Sequence, residues 1–434
     1  MRGLRVGLAS LIAAGGLFVL PAEALDITAL QARAQAGSVA AERDLGLAYR
    51  RGQVGPVDAA AAAAWLRKAA EANDAEAQYQ LGLMDLGEYG IAADKAQAMT
   101  WLDKAAQAGN GEAAAELYSL YRAKAGEPGA QDKATRIWPL AERDLVKAAG
   151  DGDPDARLMV CAMMETRGND IGADGRKPVF ESLDTCKAWN DAGHAAYLQR
   201  AHTGDAEAAA IAGAYIEIQN FGRPAGAEGR ALVKQAADAG VVRAMNAAAQ
   251  SDLSNGPDRN AAEALVYLRR AADAHSLSAP ERLASLYLEG DGVPKDPVQS
   301  LMWFRRAAEA GSDTAQLMLG IVYSDHYNEH LMPVDMDQAL KWYTLSARQG
   351  NVAAQLHLSI LYYEGRQVPQ DKALAYAWQL ITNDFVAARN SMAILTLAGM
   401  RSDFARIQKL ETDLTPDEKA KAEAIARDLR GQLN

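Results

Sequence analysis

Two histidines, His326 and His330, flank a short segment with Glu329, spelling H-x-x-E-H. In that arrangement two imidazoles hold one zinc ion and the glutamate acts as base, with a further acidic ligand downstream. Pro333 limits a continuing helix here, and the segment reads as a loop insertion with solvated histidines. His275 stands where a helix would end and reads as a polar cap; His194 and His202 have no convincing partner. The chain's 2 cysteines, Cys161 and Cys186, are too few for a four-thiolate zinc site. No glycine-rich phosphate loop and no G-x-S-x-G elbow is present. No catalytic, cofactor or metal-binding residue is assigned, no cofactor is expected, and the chain reads as a non-enzyme.

The elements that would position such residues are helical. Of 434 residues, 49% are hydrophobic with alanine contributing much of that share, only 6% are aromatic, and 23% are charged. Alanine has the best helix propensity and permits close helix approach, which favours all-α packing. A net charge of −11 argues against nucleic acid or anionic lipid as the main partner.

Residues 1–24 read as a secretory signal. Arg2 and Arg5 precede the apolar run Val6–Leu20, and Ala22 and Ala24 place small residues before a cut after Ala24. The run is too short to favour a permanent transmembrane helix, and no later apolar stretch is long enough to span a bilayer. No cysteine lies at the cut, so the product is expected in the periplasm or outside, without a lipid anchor or stable membrane insertion. Cleavage leaves the mature chain at −12. An oxidising compartment bears on Cys161 and Cys186, 25 residues apart. The pair reads either as a disulfide, which export favours, or as two buried thiols.

The remainder repeats itself. Trp65-Leu-Arg-Lys-Ala69-Ala70 returns as Trp101-Leu-Asp-Lys-Ala105-Ala106 and Trp303-Phe-Arg-Arg-Ala307-Ala308, with weaker copies at Trp342 and Trp378. Upstream lie Leu45-Gly46-x-x-Tyr49, Leu81-Gly82, Leu283-Ala284-x-x-Tyr287, Leu319-Gly320-x-x-Tyr323 and Leu358-Ser359-x-x-Tyr362. The alanine opening each unit falls at 41, 77, 113, 156, 208, 244, 279, 315 and 354, mostly in steps of 35 to 39. Such a period signals a solenoid, so the length does not imply two or three domains. Each unit reads as two helices. In the unit opening at Ala279, Leu283, Leu286 and Tyr287 share one helical face, Gly290 ends the helix, and Asp296-Pro297 starts the next. Leu301, Phe304 and Ala308 form the second stripe, Gly311 closes it, and Ser312 or Asp313 caps the helix after it. One hairpin cannot bury its apolar face alone, so neighbours stack around a shared core.

At A-x-x-x-L-G-x-x-Y, a Gly-containing loop with Asp, and A-x-x-W-x-x-K-A-A-x-x-G, the sequence resembles the Sel-one-like repeat family, a relative of the tetratricopeptide repeat. Ala77–Ala113, Ala279–Ala315 and Ala354–Trp378 fit closely, whereas the units at Ala113, Ala156 and Ala208 keep little beyond alanine and glycine spacing. The resemblance implies an all-α, right-handed α-solenoid of about nine antiparallel helix pairs that binds other proteins and lacks catalytic residues. The expected layout is a signal peptide at 1–24, a capping helix at 25–40, the solenoid at 41–388 (irregular over 113–244), and capping helices at 389–434. Thr415-Pro416-Asp417-Glu418 opens the last of these. The second helix of the unit at Ala156 is either Glu181–Ala192 or His194–Thr203.

By analogy with tetratricopeptide geometry, the third, seventh, tenth and eleventh residues of each unit approach a concave surface. These are Leu317, Ile321, Ser324 and Asp325 in one unit, and Leu356, Ile360, Tyr363 and Glu364 in the next. An apolar strip with an acidic edge suits a peptide or partner helix. Leu317 and Leu356 equally suit packing between helices. The expected function is an exported scaffold for other proteins, serving envelope assembly or polysaccharide export. A periplasmic regulator restraining a membrane sensor is the alternative, and a metal-dependent or wall-acting hydrolase a minority reading.

Overall fold

The computed structural model describes residues 26–87, 89–123, 129–167, 183–219, 226–254, 259–324, 333–365, 367–388 and 410–432. These residues form twenty α-helices and no strand. Helix α1 (Ile27–Gln35) precedes the first repeat, α2 (Val39–Arg50) and α3 (Ala59–Glu71). The pairs α4 (Ala75–Asp85)/α5 (Lys95–Gln107) and α6 (Gly111–Ala123)/α7 (Ala130–Asp151) come after it. Next are α8 (Pro154–Arg167)/α9 (Leu183–His202), α10 (Ala206–Gln219)/α11 (Gly226–Asp238) and α12 (Val242–Leu253)/α13 (Ala261–Asp273). The last pairs are α14 (Ala279–Glu289)/α15 (Pro297–Glu309), α16 (Asp313–Tyr323)/α17 (Met336–Arg348) and α18 (Val352–Glu364)/α19 (Lys372–Ala388). A 3-10 turn, Leu410–Asp413, and α20 (Pro416–Gly431) end the described chain. This is the paired, all-helical architecture of an α-solenoid.

Two compact units divide it: residues 1–122 with 132–279, and residues 123–131 with 280–434. In both, the same local devices recur. The residue three before the opening alanine caps most of the first helices, Ser38 and Val241 being the exceptions. Asp74, Asn110, Asp153 and Asp205 accept from the amides of Ala77, Ala113, Ala156 and Ala208 at 2.7–3.0 Å. In the second unit Ser312, rather than Asp313, accepts from the Ala315 amide at 3.0 Å. Second helices are capped alike by Asp58, Asp94, Asn260, Asp296, Asp335 and Asp371. Each such cap satisfies an amide that the helix cannot pair internally. The capping residue's own amide then closes the interhelix turn. Asp296 donates to the Tyr287 carbonyl at 2.9 Å, and Asp335 to Tyr323 at 2.9 Å despite the longer connection.

A glutamine after the opening alanine forms a further tie. Gln78, Gln316 and Gln355, all buried, donate to the carbonyls of Ala70, Ala308 and Ala347 at 3.0–3.1 Å, joining one repeat to the helix before it. The glycine of the Leu-Gly pair permits the closest packing. A Cβ on Gly46 would stand 2.7 Å from Leu66, on Gly82 2.9 Å from Leu102, and on Gly320 2.5 Å from the Tyr343 ring. The W-x-x-K spacing places a cation over each tryptophan: Lys68 lies 3.9 Å from the Trp65 ring centre and Lys104 4.4 Å from that of Trp101.

Helix α9 merges the alternatives for the Ala156 unit: one continuous helix, Leu183–His202, runs through the described part of the first segment and into the second. His275 adopts φ +60° at the place where Gly109 and Gly311 adopt +91° and +98°, and its amide donates to the Ala272 carbonyl. Both ends of the described chain carry covers. Leu30 and Ala34 of α1 pack on Ala41, Leu45 and Ala48. Helix α20, opened by the reciprocal Thr415–Glu418 capping box, packs on α19 and pairs Arg430 with Asp384 at 2.7 Å. Residues 1–25 and 389–409 lie outside the described residues.

Gly320→Ala is expected to lower the urea midpoint of the protein by an equivalent of about 1–3 kcal/mol, because the Tyr343 ring has to move. Gly311→Ala meets nothing within 4 Å but carries φ +98°, and is expected to cost about 1 kcal/mol from backbone strain alone.

A buried charge ladder and the candidate binding surfaces

The residue immediately before the opening alanine is the second residue of every first helix but the one that starts at Ala279. Across the first unit it is Ala40 in the first repeat, then Glu76, Glu112, Asp155, Glu207 and Arg243. In the second unit the same register holds only Thr314 and Ala353. The four acids stand in first helical turns, where the helix dipole favours negative charge. They are also shielded from water: Asp155 is 0% exposed, Glu207 4% and Glu112 6%, while Glu76 is half-buried.

Charges from distant repeats meet this ladder. Arg50, at the end of α2 and 1% exposed, pairs with Glu207 at 2.8 Å and donates to the Gln80 side chain. Gln80 in turn donates to Glu76 at 2.6 Å, and Asn110 donates to the other Glu76 oxygen at 3.2 Å. Arg243 approaches Glu207 at 3.5 Å. Beside them Asp205 pairs with Arg200 at 2.6 Å and Arg51 at 3.8 Å. Burial pushes the Asp205 carboxyl up, but the Arg200 and Arg51 guanidiniums and the Ala208 amide outweigh it and hold it below the usual value. Two backbone bonds complete the contact: the Val57 amide donates to the Ala239 carbonyl and the Ala206 amide to the Arg51 carbonyl, both at 3.0 Å. Together they clasp the first repeat to α10 and the α11–α12 turn. A cleft of about 490 Å³ opens at the clasp, lined by Arg50, Val57, Tyr89, Glu207, Val242 and Arg243 among others.

The middle of the ladder has less compensation, with Arg200 acting on Asp155 only through its field. Burial, with Asp153 and Glu112 nearby, pushes Asp155 well above the carboxylate range. Burial, reinforced by Asp153 and Glu76, raises Glu112 to about 8, and burial raises Glu116 to about 7. None of these side chains was singled out from the sequence. The signal was there: the concave-position rule, applied to the unit at Ala41, names Arg50 and Arg51, and the residue before each alanine reads acid four times running.

The surface residues named from the sequence fare unevenly. Leu317 and Ile321 are half-buried on α16. Leu356 and Ile360 are 0% and 8% exposed, so they pack between helices and offer no open strip, a correction to the docking surface expected there. The apolar side chains gain more from burial against their neighbours than from waiting for a partner. Tyr363 donates to Asp413 of the terminal turn at 2.7 Å, and Glu364 is half-buried beside it. Asp325, His326, Glu329 and His330 lie outside the described residues. Cys161 falls on α8 and Cys186 on α9, two helices packed together, but their side chains are outside those described. His194 stacks on Tyr215, and burial lowers it to about 4.

Arg50→Met leaves Glu207 buried with only the longer Arg243 contact, and should destabilise the first unit by about 3–5 kcal/mol. Hydrogen exchange at the Val57 and Ala206 amides should accelerate with it, and Arg50→Met/Glu207→Leu should recover much of the loss. Glu112 binds its proton in the folded chain up to about pH 8, whereas an unfolded glutamate releases it near pH 4.5. The folded state therefore holds the extra proton, and stability falls as pH rises from about 4.5 to 8. Glu112→Gln removes that loss, so its gain in melting temperature over the parent chain should grow across this window.

Comparison with known proteins places these helices in a family. The Sel1 repeat matches residues 39–74, 75–110, 242–276, 281–312, 314–351 and 352–378. The stretch between 111 and 241 keeps helix pairs without a match. A search of the curated proteins finds no match. Among solved structures, c5321, a protective antigen of uropathogenic Escherichia coli strains displaying an SLR fold, is 21% identical. The alignment covers 94% of this chain and 95% of that one at a TM-score of 0.44. A Sel1 repeat protein from Oxalobacter formigenes is 22% identical over 91% of this chain and 93% of its own, at a TM-score of 0.42. Neither likeness bears on what this chain binds. Six Sel1 repeats, in register with its helix pairs, thus lie in this chain.

Proposed function

We propose that the chain is an exported scaffold that holds other proteins on its stacked helices and performs no chemistry of its own. The observation that carries this reading is the run of six Sel1 repeats, a fold that generally serves protein–protein contact. Stacked repeats present extended surface on a rigid frame, which suits recognition of a large partner. Export is supported by the basic, apolar and small-residue order of residues 1–24. Among the described residues no helix is long and apolar enough to cross a membrane. A mature charge of −12 favours a partner with basic surface over nucleic acid. A role in assembling the cell envelope would suit that compartment.

Two measurements test this. Mass spectrometry of the product from a periplasmic fraction should give Leu25 as the first residue; a chain retaining Met1 in the cytoplasm rejects export. Photo-crosslinking from exposed positions of α13 and α15 in cells should then yield discrete protein adducts. A chain that crosslinks to no protein in its own compartment rejects the scaffold.

A further inference from the structure

The signature tyrosine that ends the first helix is Tyr49, Tyr287, Tyr323 and Tyr362 in four repeats, but Asp85 and Asp252 in two others. Opposite it stands a basic residue two before the alanine pair of the preceding helix: Arg67, Lys234 and Arg305. Where the partner is Tyr323, Arg305 donates to its hydroxyl at 2.7 Å. Where it is Asp252, Lys234 lays its ammonium 2.9 Å from the carboxylate. At Asp85 the pattern is broken. Arg67 is exposed and acts on Asp85 only through its field, and Asp85 Oδ2 is buried without a hydrogen-bond partner in a side chain 4% exposed.

Aspartate is also far smaller than the tyrosine it replaces. At this place a groove of about 630 Å³ runs between α3 and α5, walled by alanines and Ile91 with Asp85 in it; Arg67, Glu71 and Asp94 also line it, two acids against one cation. Trp101 lines the same groove, and its indole N–H is buried without a hydrogen-bond partner. A buried acceptor and a buried donor, both unmet, are costly unless something supplies their counterparts. We propose that this groove receives a lysine side chain of the partner protein, its ammonium on Asp85 and a carbonyl of its backbone on the Trp101 indole. The pair Lys234–Asp252 is the same chemistry made within the chain. The alanine walls accept the methylene stem, as lysine stems pack along apolar surface. This rests on the scaffold reading and names the partner's chemistry at one repeat.

The test uses the full mature chain with ¹⁵N-labelled tryptophan, the Trp101 indole signal assigned through Trp101→Phe. The probe is an acetylated, amidated Ala-Lys-Ala peptide, with norleucine replacing lysine as control. A saturable shift of the Trp101 signal at pH 7.5 is expected with lysine and not with norleucine. Burial, opposed by Arg67 and reinforced by Asp94, raises Asp85 to about 6, so binding should weaken as pH falls through that value and the carboxylate is neutralised. Asp85→Asn should weaken binding at least tenfold. Asp85→Tyr, which restores the signature residue, should abolish binding and raise the melting temperature. No shift in the parent chain, an equal shift with norleucine, or binding retained in Asp85→Asn overturns the proposal. Such a failure leaves the scaffold reading intact, since crosslinking in cells reads that separately.

Discussion

Close approach between two helices that cannot bury their apolar faces alone is the constraint on which this structure depends. Glycine or another small residue in the Leu-Gly pair and alanines at the opening and closing positions let the axes come near enough for leucines and aromatics to fill the space between. Close packing then leaves helix ends near one another, and unpaired amides and carbonyls there would be expensive. The chain meets this with a short polar residue at most caps and, in three repeats, a buried glutamine. Much of its buried polar chemistry therefore serves to join one helix to the next.

The first unit uses the same register for something further. Its ladder of acids at the second helical position gains from each helix dipole but loses hydration. Arg50 and Arg243 offset that at Glu207, and Arg200 and Arg51 do so at Asp205. Arg200 is a near neighbour of Asp205 in the chain, but Arg50 and Arg51 lie 157 and 154 positions from Glu207 and Asp205, so their share of the compensation exists only once the unit has folded around it. Among the described residues Glu112 and Asp155 have no arginine paired with them, and burial shifts both toward the neutral form, more than the field of Arg200 offsets at Asp155. Asp85 and Asp252 show two outcomes of one substitution: a lysine within the chain completes Asp252, while Asp85 faces an open groove.

Much of this was legible in the sequence. Periodicity of tryptophan, alanine pairs and Leu-Gly gave the helix pairs, and short-range spelling gave the cap at Asp296, the left-handed turns at Gly290 and Gly311, and the capping box at Thr415. These are local effects, set by residues within a turn of one another. The interhelix glutamine tie was missed because a buried glutamine and a solvated one look alike in one dimension.

The sequence by itself determined the class of fold, the length of the repeating unit and the places where helices begin and end, since each depends on backbone geometry and near neighbours. Only the tertiary structure decided which residues remain open. Leu356 and Ile360 carry the same apolar character whether a neighbouring helix or a partner covers them, and packing settled the matter. It alone brought Arg50 to Glu207, because a charge pair separated by 157 positions is chosen by how the repeats curve, not by any spacing along the chain.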